Sequence, residues 1–504
     1  MGTTYKIYPP IGIARLGNSP DDFFVGPEAP GQNFLPQGTQ YKDGMQRIKR
    51  QGARFRIYEC TFDDAAPDLI TAVREISSNE AEIEWSAHLA NTKSASGSLN
   101  SNTVPRSKLE IDPGNLTISG NNQNQAVSGS ITITDDNGQD QTKRVKLGDL
   151  KTDSSGRLIV LGGHGLSESV TGDPISGLFS NGWYDDASDG PVAARVKLNG
   201  STQFVDAESA WVVVGPPAYA HPIFNIVTMF DLAFDLATKL PPPNNFAVDP
   251  VCSFTKDIYP ILRRTVDMQW VSQLALGPHG GPGNFLESPR FQSLHDQTAA
   301  GAATARKAIF DRLKDPANGG SPSFPVGAPA KSMPQLASLS LTDQQYMRFE
   351  AWKDGNFVDD WNGVPANPSF SSIAATDQPA ALTRAALEAG VGGSFRPGIE
   401  VGGIFSAAST FQAPFRISNN LRPGSLTASL SVPWQADFEA CGTGWWPGGR
   451  PNFVMNDSGQ RYNWIGSSIS PTDLVTVWKE LGFITQDGSG ASTRFIEKER
   501  TLPI

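Results

Sequence analysis

The chain is predicted to adopt an α+β fold, with a β-rich N-terminal domain over residues 1–245 and a mixed, mainly helical and loop-rich C-terminal domain over 246–504. Three observations lead there. At 504 residues the chain exceeds the size at which one hydrophobic core keeps growing, so two domains are the default. Its first half carries short runs of Val, Ile, Thr and aromatics separated by Gly, Asn, Asp and Ser, the pattern of strands and turns. Its second half replaces that pattern with helical periodicity and long stretches dense in Gly and Pro.

In chain order, strands are expected at Arg54–Cys60, Glu82–Leu89, Gly129–Thr134, Lys143–Leu147, Leu158–Leu161, Val192–Leu198 and Ala210–Val214. The stretches Ser94–Val104 and Gly120–Ser128 read as exposed loops. A helix follows at Pro222–Leu240, and the prolines at 241–243 stop it, which places the domain boundary there. Further helices are expected at Asp257–Leu274, Thr298–Leu313, Thr342–Trp352, Gln378–Ala389 and Thr472–Gly482. Thr342 and Gln345 have capping-box spacing, so each side chain can satisfy a free backbone N–H of the other. The region Gly390–Asn463 shows little periodicity, and a long irregular segment inside a compact protein is usually functional.

Composition excludes several classes of function. A formal net charge of −10 disfavours nucleic acid or an anionic membrane as the main partner. No apolar run approaches the ~18–20 residues of a membrane span, and the first ten residues lack the apolar core of a signal peptide, so a cytoplasmic location is expected. Cys60, Cys252 and Cys441 are too few and too scattered for a disulfide framework, and the five histidines show no HxxxH spacing, so no metal site is expected. Cys60 and Cys252 read as buried small hydrophobes.

Common catalytic motifs are missing from the sequence. It holds no GxGxxG opening a βαβ unit and no Walker-type phosphate loop. Gly162-Gly163-His164-Gly165 has no GxSxG partner and reads as a turn whose glycines permit positive φ. Asp185, Asp186 and Asp189 fail the EF-hand pattern and read as a hydrogen-bonded turn. His88 reads as a satisfied, partly buried histidine.

One stretch remains. Between Pro433 and Asn452, Asp437, Cys441, Trp445 and Trp446 fall within ten residues, in a loop punctuated by Pro433, Gly442, Gly444, Pro447, Gly448, Gly449 and Pro451. Asp437 lies four residues before Cys441, so one helical turn would bring the carboxylate to the thiol's side. Both tryptophans are near enough in sequence to fold back on the sulfur. A thiol, an indole and a base are the raw materials of a quinone cofactor made from side chains.

At these residues the chain resembles the family of lysine ε-oxidase and its glycine-oxidase relatives, which contain cysteine tryptophylquinone. The resemblance extends to Ile7–Ser19, Phe23–Glu28, Gln46–Gln51, Trp85–Asn91, Trp183–Asp186, Ser188–Val192 and Trp211–Pro217. It implies that the quinone forms from the Cys of Pro-Trp-Gln-x-Asp-x-x-x-Cys and the Trp of Trp-Pro-x-x-x-Pro-Asn. In this sequence those residues are Cys441 and Trp446, with the adjacent Trp445 as the alternative partner and Asp437 as the carboxylate. Two departures stand out: only four residues separate Cys441 from Trp446, and no His follows Cys441 as in the glycine-oxidising relatives.

The resemblance implies oxidative deamination of a small amine or amino acid, with oxygen as acceptor, peroxide as product and no dissociable cofactor. Asp437 would remove the substrate's Cα proton, for which a desolvated carboxylate is favourable. Tyr219 is a weaker candidate for the pocket wall. Maturation by a partner flavoprotein and self-association are implied as well. The rival readings are a family member that never matures its quinone and acts as a binding protein, or a dehydrogenase that passes electrons to a carrier.

Overall fold

The computed structural model describes residues 2–503 apart from 32–39, 64–65, 97–102, 135–137, 176–179, 242–245, 247, 281–285, 287, 320, 324, 336–338, 393–400, 431, 441–447, 467–468 and 490–491. A sheet of 13 strands dominates the first half. Its backbone order is Leu116–Ser119, Ala81–Ala87, Ser188–Leu198, Ala210–Gly215, Ile11–Arg15, Arg50–Asp63, Leu158–Gly162, Asp140–Thr152 and Asn124–Thr134. The first of these curls back beside the last two, so the sheet nearly closes on itself. Such closure leaves little unpaired strand edge.

Burial along the strands explains their residue types. Ile11–Arg15, Leu158–Gly162 and Ala210–Gly215 are buried on both faces and read as continuous apolar runs. Ala210–Gly215 pairs in parallel with Ile11–Arg15. Ala81–Ala87 alternates buried with more open positions, as a strand with one wetter face does.

All seven expected strands form, most of them longer than their apolar runs. The exposed loop expected at 120–128 is corrected: Asn124–Thr134 is one strand, paired with Asp140–Thr152 across a bulge. On this edge strand Asn124 and Ser130 are exposed and Gln125 and Ser128 half-buried, so polarity there marks exposure rather than irregularity. Strands at Gly2–Tyr8, Ile11–Arg15, Phe23–Val25, Ala66–Ile76, Leu116–Ser119 and Val205–Asp206 complete the sheet.

The second half is more helical, as expected. The helix expected over 222–240 begins only at Met229, because Thr228 and Asp231 close a capping box there. The predicted box of Thr342 and Gln345 is present. The helix expected over 257–274 breaks after Trp270, where the Val271 carbonyl accepts from Asn452 N at 2.9 Å instead of continuing an intrahelical ladder. The helix expected over 472–482 spans Pro471–Val477, and the chain then enters a hairpin of Phe483–Asp487 and Arg494–Lys498.

One buried apolar cluster takes in Ile7, Phe55, Tyr219, Phe438, Trp464 and Phe495, so the last strands pack into the same core as the first. Cys60 and Cys252 are buried free thiols, as expected, and burial pushes the Cys252 thiol up to about 12. Among the described residues no helix is long and apolar enough to cross a membrane.

Candidate active site

A helix of 7 residues, Trp434–Ala440, carries Asp437. So short a helix is not stable by itself. It is fixed from outside by residues far away in sequence. Trp434 N donates to Asp185 Oδ2 at 3.2 Å. Gln435 Nε2 donates to Gly165 O at 3.0 Å, and Gln435 Oε1 accepts from Ser167 Oγ. Arg450 Nε donates to Phe438 O near the helix C-terminus, where a cation is favoured.

The turn after Leu158–Gly162 forms the seat of this helix. Gly165 has φ +79, the left-handed value its type was expected to supply. A Cβ there would fall 2.2 Å from the Trp478 ring, so only glycine lets that indole close over the turn. Trp478 in turn meets the Trp434 ring edge-on at 5.1 Å between centroids. Gly165 N donates to Asp186 Oδ2 at 2.8 Å.

The aspartates read as a hydrogen-bonded turn are indeed hydrogen-bonded, but they are fully buried and each holds a different element. Asp185 pairs with buried Lys93 and accepts from Asn91 Nδ2 at 2.7 Å. Asp186 fixes the Gly165 turn, and burial raises its carboxyl to about 7. Asp189 accepts from Trp211 Nε1 at 3.0 Å and Thr427 N at 2.8 Å, and burial raises it to about 6. His88 contacts Asp112 at 2.6 Å and is thereby satisfied, as expected.

Asp437 itself is 4% exposed. Beneath its helix lies Tyr219, fully buried, with its ring edge-on to Phe438 at 6.0 Å. The Tyr219 hydroxyl donates to Trp478 O at 2.8 Å, and burial holds the phenol well above its ordinary range. Its contacts are those of a packed support under the helix.

Cys441, Trp445 and Trp446 lie outside the described residues, which resume at Gly448. That exit is also pinned. Gly448 N donates to Asn225 Oδ1 at 3.3 Å, and a Cβ on Gly448 would lie 2.7 Å from Ile223 O. Asn452 N donates to Val271 O at 2.9 Å, while Asn452 Oδ1 accepts from Gln273 N at 3.2 Å. A quinone formed within residues 441–446 therefore fits what flanks it: a buried carboxylate on the entering helix and two ends held against the body. Lys93, Asp185, Gly165, Gln435, Arg450 and Asn452 were not singled out as site residues from sequence. The segments containing Asp185 and Gly165 had been noticed as turns, the first also for its family resemblance, and nothing in their spacing joins them to residue 435.

Comparison with known proteins identifies the family. The L-lysine ε-oxidase N-terminal model matches residues 8–214, and the L-lysine ε-oxidase C-terminal domain model matches residues 327–464. The L-lysine 6-oxidase of Marinomonas mediterranea is 27% identical over 536 aligned positions, covering 86% of this chain and 71% of that protein. The crystal structure of the Schiff base intermediate of L-Lys ε-oxidase from Marinomonas mediterranea with L-Lys superposes with a TM-score of 0.74 at 22% identity, over 99% of this chain and 95% of the other. A second structure of the ε-lysine oxidase from that organism gives 0.75 at 23%, with the same coverage. At these identities the superpositions establish the shared fold. The class so defined is that of the amino-acid oxidases. Matched by both of its domain models, the chain belongs to the L-lysine ε-oxidase family.

Proposed function

We propose that this chain oxidatively deaminates the primary amine of an amino acid or related amine, using a cysteine tryptophylquinone built from Cys441 and Trp446, with Trp445 as the alternative indole. The balance is amine, oxygen and water giving an aldehyde or oxo acid, ammonia and hydrogen peroxide. The quinone supplies an electrophilic carbonyl for the amine and a sink for two electrons. The surrounding chain supplies the rest.

Asp437 is the base that takes the Cα proton of the bound amine. Its burial removes competing water, and its helix is locked by Asp185, Gly165 and Ser167, so the carboxylate is positioned before substrate arrives. Tyr219 supports the helix from below, against Phe438, and stays out of proton transfer. The observation that carries the reading is this buried carboxylate, four residues before Cys441 on an externally braced helix. A partner flavoprotein matures the site, and the mature chain self-associates.

The test is co-expression with that flavoprotein, followed by intact mass, visible absorbance and peroxide release across an amino-acid panel. A crosslinked mass, quinone absorbance and peroxide are expected. An unmodified Cys441 with no peroxide from any amine would favour the binding-protein reading. Turnover with an electron carrier but no peroxide under air would favour the dehydrogenase.

A further inference from the structure

The C-terminal helices form a cavity of about 330 Å³, within the size range of small-molecule sites. Its interior wall is apolar and buried, with Leu262, Val266, Met268, Leu313 and Phe349 among the residues that make it. Apolar walls give water too few partners, so such a space favours an apolar occupant. Thr265 also lines it, but its hydroxyl is already committed to Ile261 O at 2.8 Å.

The mouth lies where the lining becomes exposed, at Leu274, Arg290, Arg312 and Gln335. Arg312 donates one N–H to Ala308 O at 2.6 Å, which leaves the rest of its guanidinium to meet a ligand. Among the described residues neither arginine is ion-paired and no carboxylate lines the cavity, although the chain as a whole is acidic. His279 is in the lining too, and burial lowers its imidazole below the ordinary range, so the positive charge rests on the two guanidinium groups.

The cavity is built from other segments than the candidate active site. Neither the Trp434–Ala440 helix nor the Gly448–Asn452 exit contributes a described lining residue. We propose that this cavity is a second ligand site, apart from the amine's, and that it takes a monocarboxylate with an unbranched apolar tail. The tail fills the apolar interior and supplies affinity, methylene by methylene. The carboxylate meets Arg290 and Arg312 at the mouth, where a guanidinium matches it through paired hydrogen bonds. That contact selects the head group more than it adds strength, because exposed ion pairs are weak. An ammonium head would meet two like charges and no acid.

Octanoate, hexanoate and octylamine are the calorimetric probes, applied to the full-length protein. Octanoate should bind about tenfold tighter than hexanoate, which buries two fewer methylenes. It should also bind about tenfold tighter than octylamine. The double variant Arg290→Gln/Arg312→Gln, at two exposed positions, should lose about tenfold for octanoate and nothing for octylamine. Ala275→Phe fills the half-buried wall and should abolish binding of all three; its melting temperature reports its fold. If that variant does not fold, the hexanoate ratio and the double variant still decide. In the matured enzyme octanoate should leave the KM of the amine unchanged. Equal binding of octanoate and octylamine, equal binding of octanoate and hexanoate, indifference to the double variant, or competition with the amine would each overturn the proposal. The expected binding pattern in a protein that turns over no amine would support the site and sink the oxidase reading alone.

Discussion

The strand Ser188–Leu198 and the helix Trp434–Ala440 meet the same aspartate cluster but owe their places to different forces. The strand is held by backbone ladders on both sides, to Ala81–Ala87 and to Ala210–Gly215. Loss of any one bond leaves many others. The helix has 7 residues and a few side-chain anchors, so each anchor carries a large share of its position. Redundant hydrogen bonding builds the scaffold; sparse contacts aim the reactive residues.

That contrast can be broken at the site first. Asp437→Asn keeps the volume and removes the base, so the rate should fall by ~10²–10⁴-fold with the melting temperature unchanged. Stopped-flow reduction of the matured quinone measures it. A loss under tenfold would deny Asp437 its role.

Next comes the charge beneath the helix. Lys93→Met leaves Asp185 buried without its cation and should cost ~3–5 kcal/mol in urea unfolding. Gln435→Ala removes two anchors and should cost ~1–3 kcal/mol, with a larger effect on quinone yield than on the unfolding of the sheet. If Gln435→Ala left yield and rate intact, the helix would be held by packing alone.

The smallest effect is on pH dependence. Asp186 and Asp189 bind protons in the folded protein up to about 7 and about 6, whereas in the unfolded chain they release them near the ordinary ~3.9. Their contribution to stability is therefore complete below pH ~4 and is lost as pH rises through 6 and 7. Asp186→Asn has no proton to lose, so its stability should decline less between pH 5 and 8 than that of the parent, as read by thermal melts. A parallel decline would show that Asp186 does not titrate in that range.

The sequence made the sheet legible because burial leaves a period in it. Leu158–Leu161 and Ala210–Val214 are apolar runs bounded by turns, and both are strands. It was less informative where tertiary contacts override local preference. The apolar periodicity over 257–274 promised one helix, yet the Val271 carbonyl is captured by Asn452 from a distant part of the chain. At the site, Asp437 stood out through its neighbours Cys441 and Trp446. Lys93, Gly165 and Gln435 did not, because their roles exist only once the sheet has brought the three segments together.

Trp478 closes over Gly165 and against Trp434, completing the seat of the Asp437 helix. The other two partners, Gly165 and Trp434, are translated before Trp478. A polypeptide made only as far as residue 477 therefore lacks the indole that closes this seat. Order in the sequence thus becomes order in time: the Asp437 helix is made first and gains its full seat only once residue 478 has followed.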